Sequence, residues 1–326
     1  MFLKNMLCLS VLFAIMPVPA TSADPSLSTL TPVCISWFDD LFKKPGEWAT
    51  TRRHVNSIIA ADHNLNTQYT DSQLLSRFAQ LKSWNIKMEL EVGAVKEWGP
   101  TGAKCFAAEQ PQWDRFIKLG ANIYALALDE PLICTRNSLK LPDSYAVQET
   151  ADFIARVRKQ YPNIIVGDVE PYPSISVSDH IAWIEALNAR LSALGVRGLD
   201  YYRIDPDWIE FNVSAKGSYR DLKTLETYCR SNSLPFSLIY WSSYYPQLKG
   251  KNMAGDDTWY IGIFSEANDY YVAGGSPDEY VLESWINAPA RIVPDGADFT
   301  YTRSVRDFIS RFVDHNPDLT SVPLDR

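Results

Sequence analysis

The sequence predicts an α/β protein built as a single (β/α)8 barrel of the TIM type. Three observations support this prediction. Apolar runs of strand length alternate with segments of helical period. No linker rich in Gly, Pro or Ser interrupts residues 24–326, so we expect one domain there. No G-x-G-x-x-G turn follows a strand, which favours a closed barrel over an open nucleotide-binding sheet.

Residues 1–23 precede the predicted barrel and have the composition of a secretory signal peptide. Lys4 is followed by an apolar run from Met6 to Val18 and by small residues up to Ala23. A membrane anchor is the alternative, but a spanning helix needs ~20 apolar residues, more than this run contains. We therefore expect cleavage after Ala23 and a secreted or periplasmic monomer with no membrane partner.

The elements of the barrel follow in order. The predicted strands are Val33–Phe38, His54–Ala60, Ile86–Ala94, Ile123–Asp129, Ile164–Val169, Leu199–Ile204, Phe236–Trp241 and Tyr280–Ser284. A short helix is expected within residues 46–53. Longer helices are expected from Asp71 to Trp84, with Asp71 as the cap, and at Tyr145–Gln160, Ser178–Leu194, Tyr219–Cys229, Thr258–Val272 and Arg303–Val313.

Acidic residues stand at the ends of four predicted strands: Glu130, Glu170, Asp205 and Glu283. The C-terminal strand ends of a (β/α)8 barrel form its active site. Side chains two residues apart on a strand share a face, so Asp168 is expected to point the same way as Glu170. The charged rows are expected to face the barrel interior and its mouth, with Arg203 as the internal counter-ion. The alternative is that an acid at a strand end caps the following helix.

Carboxylates mixed with aromatic residues at such a mouth indicate carbohydrate chemistry. Cleavage of a glycosidic bond needs one carboxyl as proton donor and a second as base or nucleophile, and aromatic rings form apolar platforms for sugars. Glu130 is the predicted donor, and Glu170 or Glu283 the second group. The predicted substrate contacts are Asp129, Asp168, Arg203, Asp205, Trp37, His63, Glu91, Tyr240, Trp241 and Trp285.

Charge and motif content limit the other classes of partner. The net charge of −8 argues against nucleic acid and anionic membranes, because phosphate binding needs a basic face. No metal ion or organic cofactor is expected: the sequence has no D-x-D-x-D-G loop, and two-carboxylate catalysis needs no ion. The expected partner is a carbohydrate substrate.

Four cysteines follow the leader, in a compartment that permits disulfides. Cys105 and Cys134 come after two consecutive strands, so their loops should be neighbours. We expect a disulfide between them, closing a loop of roughly 30 residues. Cys34 lies inside an apolar strand and is expected to be a buried thiol.

The segment Leu128-Asp129-Glu130-Pro131 resembles the Asn-Glu-Pro segment of a large superfamily of retaining glycoside hydrolases with (β/α)8 barrels. The resemblance implies that Glu130 is the acid/base, with Asp129 in place of the usual Asn. That superfamily has its nucleophile at the end of the seventh strand, whereas the predicted seventh strand here ends in Tyr240-Trp241. Either the strand count is wrong by one and Glu283 is the nucleophile, or the pair is assembled differently.

The acidic segments are also similar to those of spherulin-4-like and polygalactosaminidase-type barrels, which act on amino-sugar polymers. The whole chain is similar to uncharacterised secreted bacterial barrels with Asp-Glu-Pro, Gly-Asp-x-Glu-Pro and Glu-Ser-Trp segments. Two further functions stay open: a carbohydrate-binding barrel without catalysis, and a polysaccharide lyase with a Tyr or His base.

Overall fold

A computed structural model describes residues 29–208, 217–241 and 255–315, which form a closed barrel of eight parallel strands. Consecutive strands are neighbours, and the eighth pairs with the first. The strands are β1 Val33–Ser36, β2 Ser57–Ala61, β3 Lys87–Val92, β4 Ile123–Asp129, β5 Ile165–Tyr172, β6 Tyr201–Pro206, β7 Phe236–Tyr240 and β8 Glu279–Leu282. The predicted fold class and all eight strands are confirmed, with shifts of a few residues at their ends.

Eleven helices surround this barrel within the described ranges. They are α1 Asp39–Lys43, α2 Ala49–Arg52, α3 Asp62–Gln68, α4 Asp71–Trp84, α5 Gly102–Lys118, α6 Pro131–Cys134, α7 Asp143–Gln160, α8 Val177–Ala193, α9 Tyr219–Ser231, α10 Asp256–Val272 and α11 Tyr301–Phe308. None of them is long and apolar enough to cross a membrane. The predicted leader (residues 1–23) lies outside the described ranges.

The predicted helices differ from the structure in one cap and in the helices that were not predicted. Thr70, not Asp71, caps α4: its hydroxyl accepts a hydrogen bond from the backbone N–H of Gln73, whose side chain bonds back in a capping box. Helix α5 was not predicted, and neither were the short helices α1, α3 and α6; Pro111 lies inside α5. The buried face of α5, with Trp113 and Phe116 against the core, outweighs the cost of that proline.

An ion-paired network occupies the inside of the barrel below the mouth. The guanidinium of Arg203 on β6 lies 2.7 Å from a carboxylate oxygen of Glu89 and 2.6 Å from one of Glu279. Tyr201 donates to Glu89 at 2.8 Å, and Ser237 donates to Glu279 at 2.8 Å. All these side chains are fully buried. The predicted role of Arg203 as internal counter-ion is confirmed.

Candidate active site

The register of the strands brings acids from β3, β4, β6 and β8 to the C-terminal mouth. Glu91 lies two residues beyond Glu89 on the inner face of β3, and Asp205 lies two residues beyond Arg203 on β6. Asp129 lies two residues beyond Ala127, which is the partner of Glu91 in the β3–β4 register. Glu283 comes directly after β8 and is 8 % exposed.

Glu130 reaches the same mouth through an unusual backbone conformation. Its φ of +52° lies in the left-handed region, which a residue with a side chain rarely adopts. Its backbone N–H donates to the carbonyl of Val169 at 3.0 Å, and α6 begins at the next residue. The alternation of side chains along β4 therefore ends at Asp129, so the side chains of both Asp129 and Glu130 can reach the mouth. Such strain is typical of functional sites.

Electrostatics join these five acids into one group, here called the acidic mouth cluster: Glu91, Asp129, Glu130, Asp205 and Glu283. Burial, and then the charge of Asp129, raises the pKa of Glu130 to about 7 and that of Glu91 to about 7. Burial raises the pKa of Asp205, as does the charge of Glu130. Burial and the charge of Glu91 raise the pKa of Glu283. Protonated and ionised carboxyls thus coexist near neutral pH.

Lys96, in the loop after β3, is a site residue that the sequence did not indicate. Its ammonium forms an ion pair with Asp129, and its side chain is 15 % exposed. Burial lowers the pKa of Lys96, but the charges of Asp129 and Glu130 raise it above the usual value. A lysine in an irregular loop carries no pattern, so only its position in space identifies it.

A cleft of about 210 Å³ opens beside the cluster. Its lining includes Trp37 after β1, Tyr69 after α3, Glu91, Glu283 and Trp285. Trp285 is 55 % exposed, and its ring centroid lies 4.7 Å from that of Trp241. Three of the predicted aromatic contacts thus lie at the mouth, as sugar platforms would require.

The predicted orientation of Glu170 and Asp168 was wrong. Glu170 accepts hydrogen bonds from the N–H groups of Leu132 and Ile133, at 2.6 and 3.2 Å, and so caps α6. Asp168 accepts one from the indole of Trp183 on α8 at 2.6 Å. The inner face of β5 is occupied instead by Gly167, over which the ring of Tyr201 lies. Both acids are fully buried between barrel and helices.

Three other predicted contacts lie away from the cleft. Arg203 is 0 % exposed inside the barrel and cannot touch a substrate at the mouth. Tyr240 points outward from β7, where its ring stacks on those of Trp208 and Tyr280. His63 is exposed in the first turn of α3 and is not among the residues that line the cleft.

The predicted disulfide was also wrong. Cys105 and Cys134 are free and buried. The thiol of Cys105, in the first turn of α5, donates to the carbonyl of Gly99 at 2.9 Å, and that of Cys134 faces Glu97 at 3.7 Å. The two sulfurs therefore have different partners although their loops are neighbours, and burial raises the pKa of the Cys105 thiol to about 12.

One group of described residues has metal-ligand spacing. The ligand atoms of Cys34, Glu89 and Glu279 lie within 4.8 Å of one another inside the barrel. Arg203 already neutralises the two carboxylates there, so a cation would have to displace its guanidinium. These residues fit a structural ion-pair network better than a metal centre.

The raised pKa of Glu91 leads to a prediction about stability. A folded-state pKa of about 7, above the usual 4.5, means that this group stabilises the fold below about pH 4.5 and that the contribution is lost as pH rises to about 7. Glu91→Gln removes the ionisation, so we expect it to be more stable than wild type by about 1–3 kcal/mol at pH 8.

Urea denaturation of both proteins at pH 8 and pH 5 measures this effect. The gain should shrink at pH 5, where wild-type Glu91 is protonated. Glu185→Gln, at an exposed position on α8, is the matched control and should show no such pH dependence. If Glu91→Gln changes the free energy of unfolding by the same amount at both pH values, the prediction is wrong.

No protein-family model matches the sequence, and no curated protein resembles it significantly. Solved structures share its fold. A mutant of the O-GlcNAc hydrolase of Thermobaculum terrenum is similar with a TM-score of 0.52 and 10% identity, over 90% of this chain and 61% of that one. A mutant xylanase 10C of Cellvibrio japonicus has a TM-score of 0.48 and 11% identity, over 83% of this chain and 61% of that one. The thiamine phosphate pyrophosphorylase of Pyrococcus furiosus has a TM-score of 0.41 and 11% identity, over 86% and 96%.

At 10% identity the likeness to the O-GlcNAc hydrolase shows the barrel fold alone, so the reaction has to be argued from the site. The structure also decides the question raised by the retaining superfamily. The strand count is right, β7 ends at Tyr240 and Glu283 follows β8. A catalytic pair that includes Glu283 would therefore be assembled differently from that of the superfamily.

Proposed function

We propose that the protein is a glycoside hydrolase that uses Glu130 as proton donor and Glu283 as base or nucleophile. The observation that carries the proposal is the acidic mouth cluster beside an aromatic cleft, at the strand ends where barrel enzymes act. Glu170 is not part of the pair, because it caps α6. The leader-like composition of residues 1–23 supports action outside the cytoplasm.

Glu130 suits the role of donor because it holds its proton near neutral pH. Burial and Asp129 raise its pKa to about 7, and its carboxyl makes no hydrogen bond to a described side chain. Glu283 is assigned the second role by its position, because it lines the cleft. Burial and the charge of Glu91 raise its pKa, and the charge of Arg203 offsets this rise only in part. In the proposed reaction Glu130 protonates the leaving oxygen, and Glu283 attacks the sugar or activates water.

Asp205 is suited to hold the substrate. Its Oδ1 atom is buried and has no hydrogen-bond partner in the described part of the chain. A buried carboxyl oxygen without a partner is costly, and a sugar hydroxyl could donate to it. Lys96 orients Asp129 through their ion pair, so Asp129 acts on Glu130 from a stable position.

A panel of polysaccharides incubated with the purified protein tests the function. New reducing ends in the wild-type reaction, absent with Glu130→Gln, would support a hydrolase. Unsaturated ends that absorb in the ultraviolet would indicate a lyase instead. Binding without products would support the second candidate, a carbohydrate-binding barrel, which the lack of an acid at the end of β7 favours.

The pH profile tests the role of Asp129. If Glu130 donates the proton, kcat/KM should fall as pH rises through its pKa of about 7. Asp129→Asn removes a charge that raises this pKa and frees Lys96 to lower it. We expect the basic limb of the profile to move down by roughly half a unit to one unit. A limb that stays in place or moves up would show that Asp129 does not tune the donor.

A further inference from the structure

The cleft beside Glu283 has the size of a site for one ring. Its volume of about 210 Å³ is below the ~300–1,000 Å³ of pockets that enclose drug-sized ligands. The ends of β1 and β2, helix α3 and Trp285 surround it. Glu91 and Glu283 also line it, so a ring held there would lie beside two acids of the mouth cluster.

One wall of the cleft is held rigidly. The indole of Trp37 donates to the hydroxyl of Tyr69 at 3.3 Å, and that hydroxyl donates to Asp39 at 2.7 Å. Arg77 donates to Asp39 at 2.9 Å, and its guanidinium lies 4.1 Å from the centroid of the Tyr69 ring. Trp37 also packs on Phe42 at 4.3 Å. A wall that is ordered before binding loses little entropy when a ligand arrives.

Helix α3 supplies polar residues to the same cleft. The carboxamides of Asn64 and Gln68, one helical turn apart, line the cleft. Neither makes a hydrogen bond to another described side chain or backbone group. Each offers a donor and an acceptor, the combination that sugar hydroxyls require.

The charge of the cleft restricts its ligand. No lysine, arginine or histidine is among the described residues that line it, whereas Glu91 and Glu283 are. A ring that carries a carboxylate would find no cation in this lining to pair with, and its charge would oppose the ionisation of Glu91 and Glu283. The cleft therefore disfavours a uronate.

We propose that this cleft is a subsite for a single sugar ring without negative charge, stacked on Trp37 and selected by the carboxamides of Asn64 and Gln68. The proposal rests on the glycosidase function and specifies its substrate. Glu283 would face the glycosidic bond at the edge of the bound ring. It assigns substrate selection to α3, a helix that holds none of the proposed catalytic residues.

Ligand-observed NMR titration of the full chain tests binding independently of turnover. The probes are glucose, galactose, mannose, xylose, N-acetylglucosamine and glucuronate. We expect at least one neutral sugar to bind and glucuronate to bind at least about 10-fold more weakly. Asn64→Ala and Gln68→Ala should each weaken that binding about 3- to 10-fold, the effect of one hydrogen bond. Both residues are exposed, so the fold should tolerate the changes.

Thr67→Ala is the matched control on the same helix, because the Thr67 hydroxyl donates to the backbone carbonyl of His63 and Thr67 does not line the cleft. The subsite is overturned if no neutral sugar binds, if glucuronate binds equally well, or if the Asn64/Gln68 double variant binds like wild type. Ring binding without hydrolysis of any polysaccharide would refute the glycosidase and leave the subsite. Hydrolysis of a polysaccharide with the same KM in the wild type and the double variant would support the glycosidase and refute the subsite.

Discussion

Replacing Glu130 by glutamine is expected to lower kcat by about 10²- to 10⁴-fold, the usual contribution of a general acid. Glutamine has nearly the same shape but cannot donate the proton that the leaving oxygen needs. The fold should not suffer, because the Glu130 carboxyl makes no hydrogen bond to a described residue. Its loss should even raise stability at pH 8, since burial holds its pKa at about 7.

The leaving group separates a lost acid from a disturbed site. A substrate with a dinitrophenyl leaving group needs no protonation, so Glu130→Gln should lose much less activity on it than on the natural linkage. Glu185→Gln is the control for the substitution itself. Glu130→Gln with wild-type turnover of the natural substrate would remove Glu130 from the mechanism, and an equal loss on both substrates would show that it is not the acid.

Glu170→Gln provides the contrasting stability result. Glutamine has one acceptor oxygen where glutamate has two, so one of the bonds to Leu132 and Ile133 is lost and an amide donor faces the helix end. We expect a cost of about 1–3 kcal/mol in the free energy of unfolding at pH 5. At pH 8 the cost should be smaller, because burial raises the pKa of Glu170 and glutamine removes that ionisation. Urea denaturation at pH 5 would thus rank Glu170→Gln below wild type and Glu130→Gln at or above it.

Arg203→Met should produce the largest loss of stability among single substitutions in the barrel interior, about 3–5 kcal/mol at pH 8. Methionine leaves Glu89 and Glu279 without the guanidinium that both now contact. The cost should be smaller at pH 5. Burial raises the pKa of Glu279 to about 7 even beside Arg203, so protonation relieves the unpaired charge as the pH falls.

Urea denaturation at the two pH values measures this, with tryptophan fluorescence and circular dichroism as probes. Arg156→Met is the matched control, because Arg156 pairs with Asp152 on the exposed face of α7 and should contribute less than about 1 kcal/mol. An Arg203→Met variant that folds at pH 5 and does not fold at pH 8 would agree with the expectation. A loss as small as that of Arg156→Met would mean that the network does not hold the barrel together.

The sequence predicted the barrel because its signals are local. A strand that is buried on both faces reads as an apolar run, and β4, from Ile123 to Asp129, was predicted to the residue. Glu130 and Glu283 were selected because an acid directly after such a run stands out, and the structure places both at the mouth. The same rule failed for Glu170, since a strand-end acid that caps the next helix has the same local pattern.

The sequence by itself determined eight strands, their order, and that acids and aromatic rings follow several of them. Only the tertiary structure decided which acids meet. On β5 the inner row is Gly167 and Val169, because the ring of Tyr201 from β6 fills the space above Gly167 and the acids turn outward to α6 and α8. Lys96 and the carboxamides of α3 join the site from loops and a short helix. Their role depends on distances across the barrel, which no spacing along the chain encodes.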